Sequence, residues 1–499
     1  MAKSIMLQGT GSSVGKSVLV TALCRIFKND GHHVAPFKSQ NMALNSFITR
    51  EGLEMGRAQV VQAEACKLEP SVAMNPILIK PSSDTTAQVI INGRVYKNLD
   101  AKGYHGYKRT ALPFVRAAYA SLAEKYEVIV LEGAGSPAEI NLRENDIVNM
   151  GMAEISDSPV VLVGDIDKGG VFAALVGTLY LLDEKEKARV KGVLINKFRG
   201  DLELLKPGLK MLEDIIKIPV LGVIPYFDIH IEDEDSVTER FKGENINGSV
   251  HIDIVKLPYM SNFTDFDSLK LFKETHVRYV EHAHEIVDPD MLIIPGTKNT
   301  IHDMLFLKKR KIDQRIQSLA KSNCLIIGIC GGYQMLGKWI QDPSGIEGST
   351  AEIDGLGFFD MQTAIETHKT TTQVQTKVEC NHGLLAACHG IELKGYEIHM
   401  GKSQGNLENI SFLKSGQRII GVCDRNIMGT YLHGLFDTKE FTLHLLNRIR
   451  KNKGLTSTTR TQSYQEFKDT EYERLAALVR GHIDMQKIYA ILESASDFS

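Results

Sequence analysis

Cys330 closes the apolar run Leu325-Ile326-Ile327-Gly328-Ile329 and is followed by Gly331-Gly332-Tyr333-Gln334-Met335-Leu336, so a strand, a thiol and a helix opening stand in immediate succession. A side chain on so sharp a strand-to-helix turn is held clear of the backbone, and the glycines remove Cβ atoms that would clash there. The thiol is thereby placed to attack a carbonyl. Its base is expected in Gly429-Thr430-Tyr431-Leu432-His433-Gly434, where His433 follows a short apolar stretch. An imidazole within hydrogen-bond reach and a helix N-terminus behind the sulfur both stabilise a thiolate. The oxyanion formed on attack needs backbone N–H donors, for which Gly296, in the strand-end turn Ile293–Lys298, and Gly331 are the candidates.

A second chemistry is written near the N-terminus. Gly9-Thr10-Gly11-Ser12-Ser13-Val14-Gly15-Lys16-Ser17 follows another apolar strand and reads as a phosphate cradle. The usual G-x-x-x-x-G-K-[ST] spacing would put glycine at Thr10; here it stands one residue earlier, at Gly9, and the loop is longer by that residue. The physics is unchanged: small residues expose N–H groups, a helix N-terminus adds positive potential, Lys16 reaches phosphate oxygens and Ser17 holds Mg²⁺. Glu132 ends the strand Val128–Leu131 at the sheet edge where open α/β folds bind ligands, which makes it the candidate magnesium carboxylate. Asp146 is a weaker candidate for metal or substrate, and a helix cap accounts for it almost as well.

These groups need a rigid frame, and the hydropathy pattern supplies one. Short apolar runs at Ile5–Gln8, Val34–Phe37, Val128–Leu131, Val160–Val163, Gly192–Ile195 and Val220–Ile224 alternate with helical patterns, the first helix starting at Lys16. Such alternation predicts an α/β fold with a mostly parallel, doubly wound sheet. The polar, aperiodic stretch from His230 to Asn247 reads as a linker. A second α/β series follows at His251–Leu257, Met291–Ile294, Leu325–Ile329 and Ile419–Val422. After Asp437 the chain is mainly helical, and this tail is expected to pack on the second domain or between the two. The expected organisation is 1–230, a linker 231–250, 251–445 and a tail 446–499.

Composition bounds the partners. With 499 residues, 43% hydrophobic and 24% charged, and a net charge of −3, the chain has no basic field for nucleic acid and no polybasic anchor for membranes. Seven cysteines without C-x-x-C pairs argue against a disulfide framework or zinc site and for a reducing, cytoplasmic setting. His276, His282 and His284 lack a partner pattern and read as surface residues.

Cys-Gly-Gly-Tyr-Gln-Met-Leu-Gly with Gly-Thr-Tyr-Leu-His-Gly-Leu-Phe resembles the cobalamin-pathway branch of class I glutamine amidotransferases. The phosphate loop resembles that of the dethiobiotin-synthetase-like ATPases. Both modules in this order, with the segments 36–42, 132–142, 164–172 and 395–401, resemble the cobyric acid synthases over nearly the whole chain except the tail. The resemblance implies an N-terminal dethiobiotin-synthetase-like P-loop domain and a C-terminal class I glutamine amidotransferase-like domain. It implies L-glutamine hydrolysis at Cys330 and His433, with ammonia passing to a carboxylate activated by ATP and Mg²⁺. The corrinoid substrate would be adenosylcobyrinic acid a,c-diamide, amidated at its b, d, e and g carboxylates.

Residue by residue, Gly9 to Ser17 match the phosphate loop, Glu132 the magnesium carboxylate and Asn196 the adenine contact, while Lys38 sits where a lysine meets the transferred phosphate. One position departs. Many class I amidotransferases carry a glutamate two residues after the histidine, where this chain has Leu435. Glu397 or His399 is the candidate to orient the site instead. Cobyrinic acid a,c-diamide synthase or another carboxylate amidotransferase is the nearest alternative, but Phe37-Lys38-Ser39-Gln40-Asn41-Met42 differs from the segment usual in that sister family. A partitioning-type nucleotide switch would carry a signature lysine where Gly11 stands.

Overall fold

A computed structural model describes residues 2–81, 86–232, 248–322, 324–348, 350–459 and 462–494, so most of the expected linker lies outside the described residues. The first domain is built on a six-stranded parallel sheet in the order Val220–Pro225, Val190–Phe198, Val160–Asp165, Lys3–Gly9, Val128–Glu132, Val34–Phe37. Its central strands are apolar on both faces, as a sheet covered on both sides requires. Met6, Ile129, Leu131, Leu162 and Ile195 pack to one side with Val115 and Leu175. The intervening Ile5, Leu7, Val130, Val161 and Leu194 pack to the other with Leu19 and Leu23 of the helix Lys16–Asn29.

The tail packs on both domains: Leu446 and Ile449 of the helix Lys439–Asn452 lie in the core of the second, as expected, and the later helices do not stay there. Helices Tyr464–His482 and Met485–Glu493 return to the first domain, where Tyr472, Leu475, Val479, Ile488 and Leu492 complete the apolar layer over Ile5, Leu7 and Leu23. Amphipathic spacing announces a buried face but not what covers it. Arg25, fully buried in the helix Lys16–Asn29, fixes the docking by reaching Asp469 at 2.5 Å and Glu473 at 3.1 Å.

The second domain holds a seven-stranded sheet in the order Thr275–Val280, Val250–Val255, Met291–Ile294, Leu325–Ile329, Ile427–Thr430, Arg418–Asp424, Ser411–Ser415. It is parallel up to Ile427–Thr430 and antiparallel beyond. A long hairpin, Met361–Lys377 against Glu392–Gly405, stands beside it. The sequence gives no warning of this hairpin because its first strand is largely polar and partly exposed.

Two strands of the first domain, Ser46–Ile48 and Glu54–Gly56, lie against the second. Asn45 Oδ1 accepts from Phe263 N at 3.2 Å, Ser46 N donates to Asn262 Oδ1 at 3.1 Å, and Tyr396 Oη donates to the Ser46 carbonyl at 3.1 Å. Buried Glu54 takes Lys80 of its own domain at 3.0 Å and Lys369 of the hairpin at 2.5 Å. No helix among the described residues is long and apolar enough to cross a membrane.

Candidate active sites

Cys330 follows the strand Leu325–Ile329 with φ 50° and ψ −107°, a left-handed conformation that a non-glycine residue adopts only under constraint. The glycines around it are there for space. A Cβ on Gly332 would meet the Ile294 carbonyl oxygen at 2.0 Å, and one on Gly328 would meet the Gly332 carbonyl oxygen at 2.6 Å. Elbow and neighbouring turn can therefore close on each other. Gly331 faces Thr297, and a Cβ built on Gly296 would meet His433 Cε1 at 3.2 Å and Cys330 Cβ at 3.6 Å. The sequence-predicted Cys330, His433, Gly296 and Gly331 thus converge on one point.

His433 is buried and held from both sides. Its Nδ1 lies 2.7 Å from Asp265 Oδ2, the other Asp265 oxygen accepts from Gly434 N at 3.1 Å, and the Tyr396 ring stacks on the imidazole at 5.2 Å. Asn262, anchored by Ser46, lies beside the ring with its Nδ2 3.5 Å from the same nitrogen and donates to Tyr396 Oη at 3.3 Å. Burial alone would depress the imidazole, but Asp265, with Cys330 nearby, raises it to about 10. The ring is a cation at neutral pH, and Nε2 is buried with no hydrogen bond among the described residues. A protonated imidazole is the counter-charge a thiolate nucleophile needs.

The orienting acid is therefore Asp265, which sequence reasoning missed. Glu397 and His399 bond instead to each other at 3.1 Å, and Glu397 is tied to Arg418 by two bonds of 3.1 and 2.6 Å. Asp265 sits in Ser261-Asn262-Phe263-Thr264-Asp265-Phe266, beyond the short loop that follows the first strand of its domain, Val250–Val255. The available signal was polar Asn, Thr and Asp alternating with phenylalanine at the C-terminal edge of a parallel sheet, where ligands gather.

In the first domain, the phosphate loop joins the strand Lys3–Gly9 to the helix Lys16–Asn29 through Gly15, whose φ of +97° excludes a side chain. Lys16 Nζ donates to the carbonyls of Gly11 at 2.9 Å and Gly135 at 3.0 Å. The loop is braced from outside: Lys197 Nζ reaches the Ser13 carbonyl at 2.7 Å and Asp165 at 2.8 Å, and Asn196 Nδ2 donates to the Val14 carbonyl at 2.9 Å. Asn196 Oδ1 stays buried without a partner among the described residues.

Glu132 gathers the rest of the site. Its carboxylate accepts from Ser17 Oγ at 2.7 Å, Lys38 Nζ at 2.9 Å and Gln62 Nε2 at 2.5 Å. A carboxylate and a hydroxyl side by side are the hard oxygen donors that magnesium takes. Lys38 is buried within this cluster. The oxygens of Asp146 accept from Val148, Asn149 and Gly151 N at 2.8, 3.0 and 3.0 Å, at the opening of the helix Met150–Ile155, the cap-like role the sequence also allowed it.

Comparison with known proteins gives one family model for each half of the chain. Residues 5–236 match the CobQ/CobB/MinD/ParA nucleotide binding domain, and residues 251–441 match the CobB/CobQ-like glutamine amidotransferase domain. The chain is 53% identical over 507 residues to the cobyric acid synthase of Thermoanaerobacter sp. (strain X514), covering 100% of each. The chain belongs to the cobyric acid synthase family. Cobyric acid synthases of Alkaliphilus metalliredigens (strain QYMF) and Clostridium novyi (strain NT) are 53% and 50% identical to it, over 98% and 99% of its length and 99% of theirs. As a member of the cobyric acid synthase family it is an ATP-dependent glutamine amidotransferase of cobalamin biosynthesis. The nucleotide binding match and the amidotransferase match fall on different halves of the chain.

Proposed function

We propose that this chain amidates the b, d, e and g carboxylates of adenosylcobyrinic acid a,c-diamide to give adenosylcobyric acid. The observation that carries the reading is the pairing, in one chain, of an elbow cysteine backed by His433–Asp265 with a phosphate loop facing Glu132 and Lys38. Neither centre suffices by itself. A carboxylate resists ammonia until it carries a leaving group, and free ammonia is scarce until an amide is cleaved.

In the amidotransferase domain the Cys330 thiolate adds to the side-chain amide of glutamine while N–H groups at Gly331 and Gly296 meet the oxyanion. His433, protonated and oriented by Asp265, gives its proton to the departing ammonia and then activates the water that releases glutamate from the thioester. In the synthetase domain a corrinoid carboxylate attacks the γ-phosphorus of ATP, ADP leaves, and ammonia displaces phosphate from the acyl phosphate. Lys16 and the loop N–H groups hold the phosphates, Lys38 follows the transferred phosphoryl group, and Asn196 Oδ1 accepts from adenine. Ser17 and Glu132 would hold Mg²⁺, which when bound offsets the phosphate charge. Seven cysteines without a disulfide among them support a reducing, cytoplasmic setting for the enzyme.

Mass spectrometry of adenosylcobyrinic acid a,c-diamide incubated with the protein, ATP, Mg²⁺ and glutamine tests the reading. Stepwise carboxylate-to-amide conversion of all four groups is expected. No conversion, with glutamine and ATP still hydrolysed, would redirect the assignment to cobyrinic acid or another carboxylate.

A further inference from the structure

The helix Arg57–Ala65 sets two fully buried glutamines, Gln59 and Gln62, against the synthetase site, three residues apart and so on one face. Each amide is half used. Gln62 Nε2 donates to Glu132 Oε2 at 2.5 Å, while its Oε1 is buried with no hydrogen-bond partner among the described residues. Gln59 is the converse: its Oε1 accepts from Asn41 Nδ2 at 3.2 Å, and its Nε2 is buried and unpartnered among the described residues. The carboxylate decides which end of Gln62 faces it, because turning the amide over would set oxygen against oxygen.

The helix is held firmly where it enters the site. Asn75 Oδ1 accepts from Gly56 N at 3.0 Å, and Asn75 Nδ2 donates to the Lys38 carbonyl at 3.1 Å. A Cβ on Gly56 would meet Asn41 Nδ2 and Asn75 Oδ1 at 2.9 Å and Gln59 Oε1 at 3.0 Å, so the amides crowd one point. Methionine fills the volume of glutamine with no polar atom to leave unpaired, and two half-satisfied buried amides cost stability unless a ligand completes them.

The other side chains on Glu132, Ser17 Oγ and Lys38 Nζ, both donate to it. Donors suit phosphate oxygens but offer nothing to the N–H bonds of ammonia. Ammonia is held by an acceptor, with its lone pair left free to point at carbon. The acyl oxygen under attack needs a donor as negative charge gathers there. Gln62 Oε1 and Gln59 Nε2 are one of each.

We propose that Gln62 Oε1 accepts a hydrogen bond from the incoming ammonia and Gln59 Nε2 donates to the acyl oxygen of the activated carboxylate, so that this helix face is the amidation subsite. The inference deepens the synthetase reading and rests on an acyl phosphate forming beside Glu132. The ammonia lone pair forms the C–N bond. The bond from carbon to the bridging oxygen breaks, its electron pair leaves with inorganic phosphate, and that phosphate takes the surplus N–H proton. Both glutamines act after phosphoryl transfer.

Two measurements on the full-length enzyme separate those steps. Scrambling of a heavy-oxygen label between bridging and nonbridging positions of the ATP β-phosphate, with adenosylcobyrinic acid a,c-diamide and Mg²⁺ but no nitrogen source, reports acyl phosphate formation. Amide formation with ammonium, followed by mass spectrometry, reports the step after it. Gln62→Met should raise the KM for ammonium roughly tenfold, the scale of one hydrogen bond. Gln59→Glu, which keeps the acceptor for Asn41, should lower kcat at saturating ammonium about 10²-fold, the effect of losing one oxyanion donor. In both, kcat/KM for ammonium should fall at least about fivefold more than scrambling does.

Parallel losses in scrambling and amidation would reduce both glutamines to supports for Glu132 and overturn the proposal, as would unaltered ammonium kinetics. The wild type decides the matter if a variant does not fold. Methylamine is the stronger nucleophile, but a subsite closed around ammonia has no room for its methyl group. Ammonia should therefore be preferred by on the order of 10²-fold in kcat/KM, compared as free bases. Equal use of the two amines would overturn the proposal. Failure of the underlying reading looks different: the wild type would show no label scrambling with the corrinoid present.

Discussion

Asp265 Oδ2 and His433 Nδ1 are 2.7 Å apart although 168 residues separate them in the chain. The contact joins the entry of the second domain to its last strand, and it gives the imidazole its charge. With the folded value near 10 and the ordinary value at 6.5, the pair stabilises the fold fully below about pH 6.5 and loses that contribution as pH rises through 10.

Asp265→Asn should return His433 toward ordinary basicity and leave its tautomer unfixed. We expect kcat for glutamine hydrolysis to fall roughly 10²-fold or more, and the alkaline limb of the pH profile to move down from near 10. Ammonium-dependent amidation should persist. A variant with an unshifted profile would show that Asp265 does not orient the histidine.

Cys330→Ala should abolish glutamine use and leave synthesis with free ammonium, whereas Lys16→Ala should stop amidation from either nitrogen source. Product formation with glutamine and with ammonium measures both. Loss of both activities in Cys330→Ala would contradict separate centres.

Glu132→Gln removes the charge that Lys38 pairs with at 2.9 Å and a donor beside Ser17. Removing one partner of a buried ion pair costs about 3–5 kcal/mol, so urea unfolding of the first domain should shift to lower concentration. Amidation with ammonium should fall at least about 10²-fold, the order seen when a metal or transition-state contact is removed. Unaltered activity would take Glu132 out of the reaction.

Truncation after Leu455 would uncover the surface that Leu475, Val479, Ile488 and Leu492 occupy, each at 0–1% exposure. Each such side chain contributes about 1.5–3 kcal/mol, and buried Arg25 would lose both its carboxylates. The truncated chain is expected to lose ATP binding as its first domain unfolds, which calorimetry with nucleotide would register. Undiminished binding and an unchanged Tm would make the tail dispensable.

What the sequence disclosed was what depends on neighbours in the chain. The elbow around Cys330, the loop from Gly9 to Ser17 and Glu132 at its strand end are each set within a few residues, and the parallel strands follow from apolar runs. Asp265 was illegible because its partner lies far away and the local pattern resembles an ordinary turn. The hairpin Met361–Lys377 escaped because its stability comes from pairing with Glu392–Gly405, not from an apolar period. Gln59 and Gln62 were invisible for a third reason: only the fold brings them to Asn41 and Glu132.

The hydrogen bonds from Asn45 and Ser46 to the segment that carries Asp265 have a consequence for how such a protein can be taken apart. Cleaving the chain between its two halves would not yield a self-sufficient glutaminase. The glutaminase half would lack the anchors of the segment that carries its acid, the Lys80 that completes its cavity wall beside Cys330 and the Glu54 that holds Lys369. Two genes encoding the halves separately would have to specify a tight heterodimer before the glutaminase product had its complete site, so a single polypeptide spares the cell an assembly step.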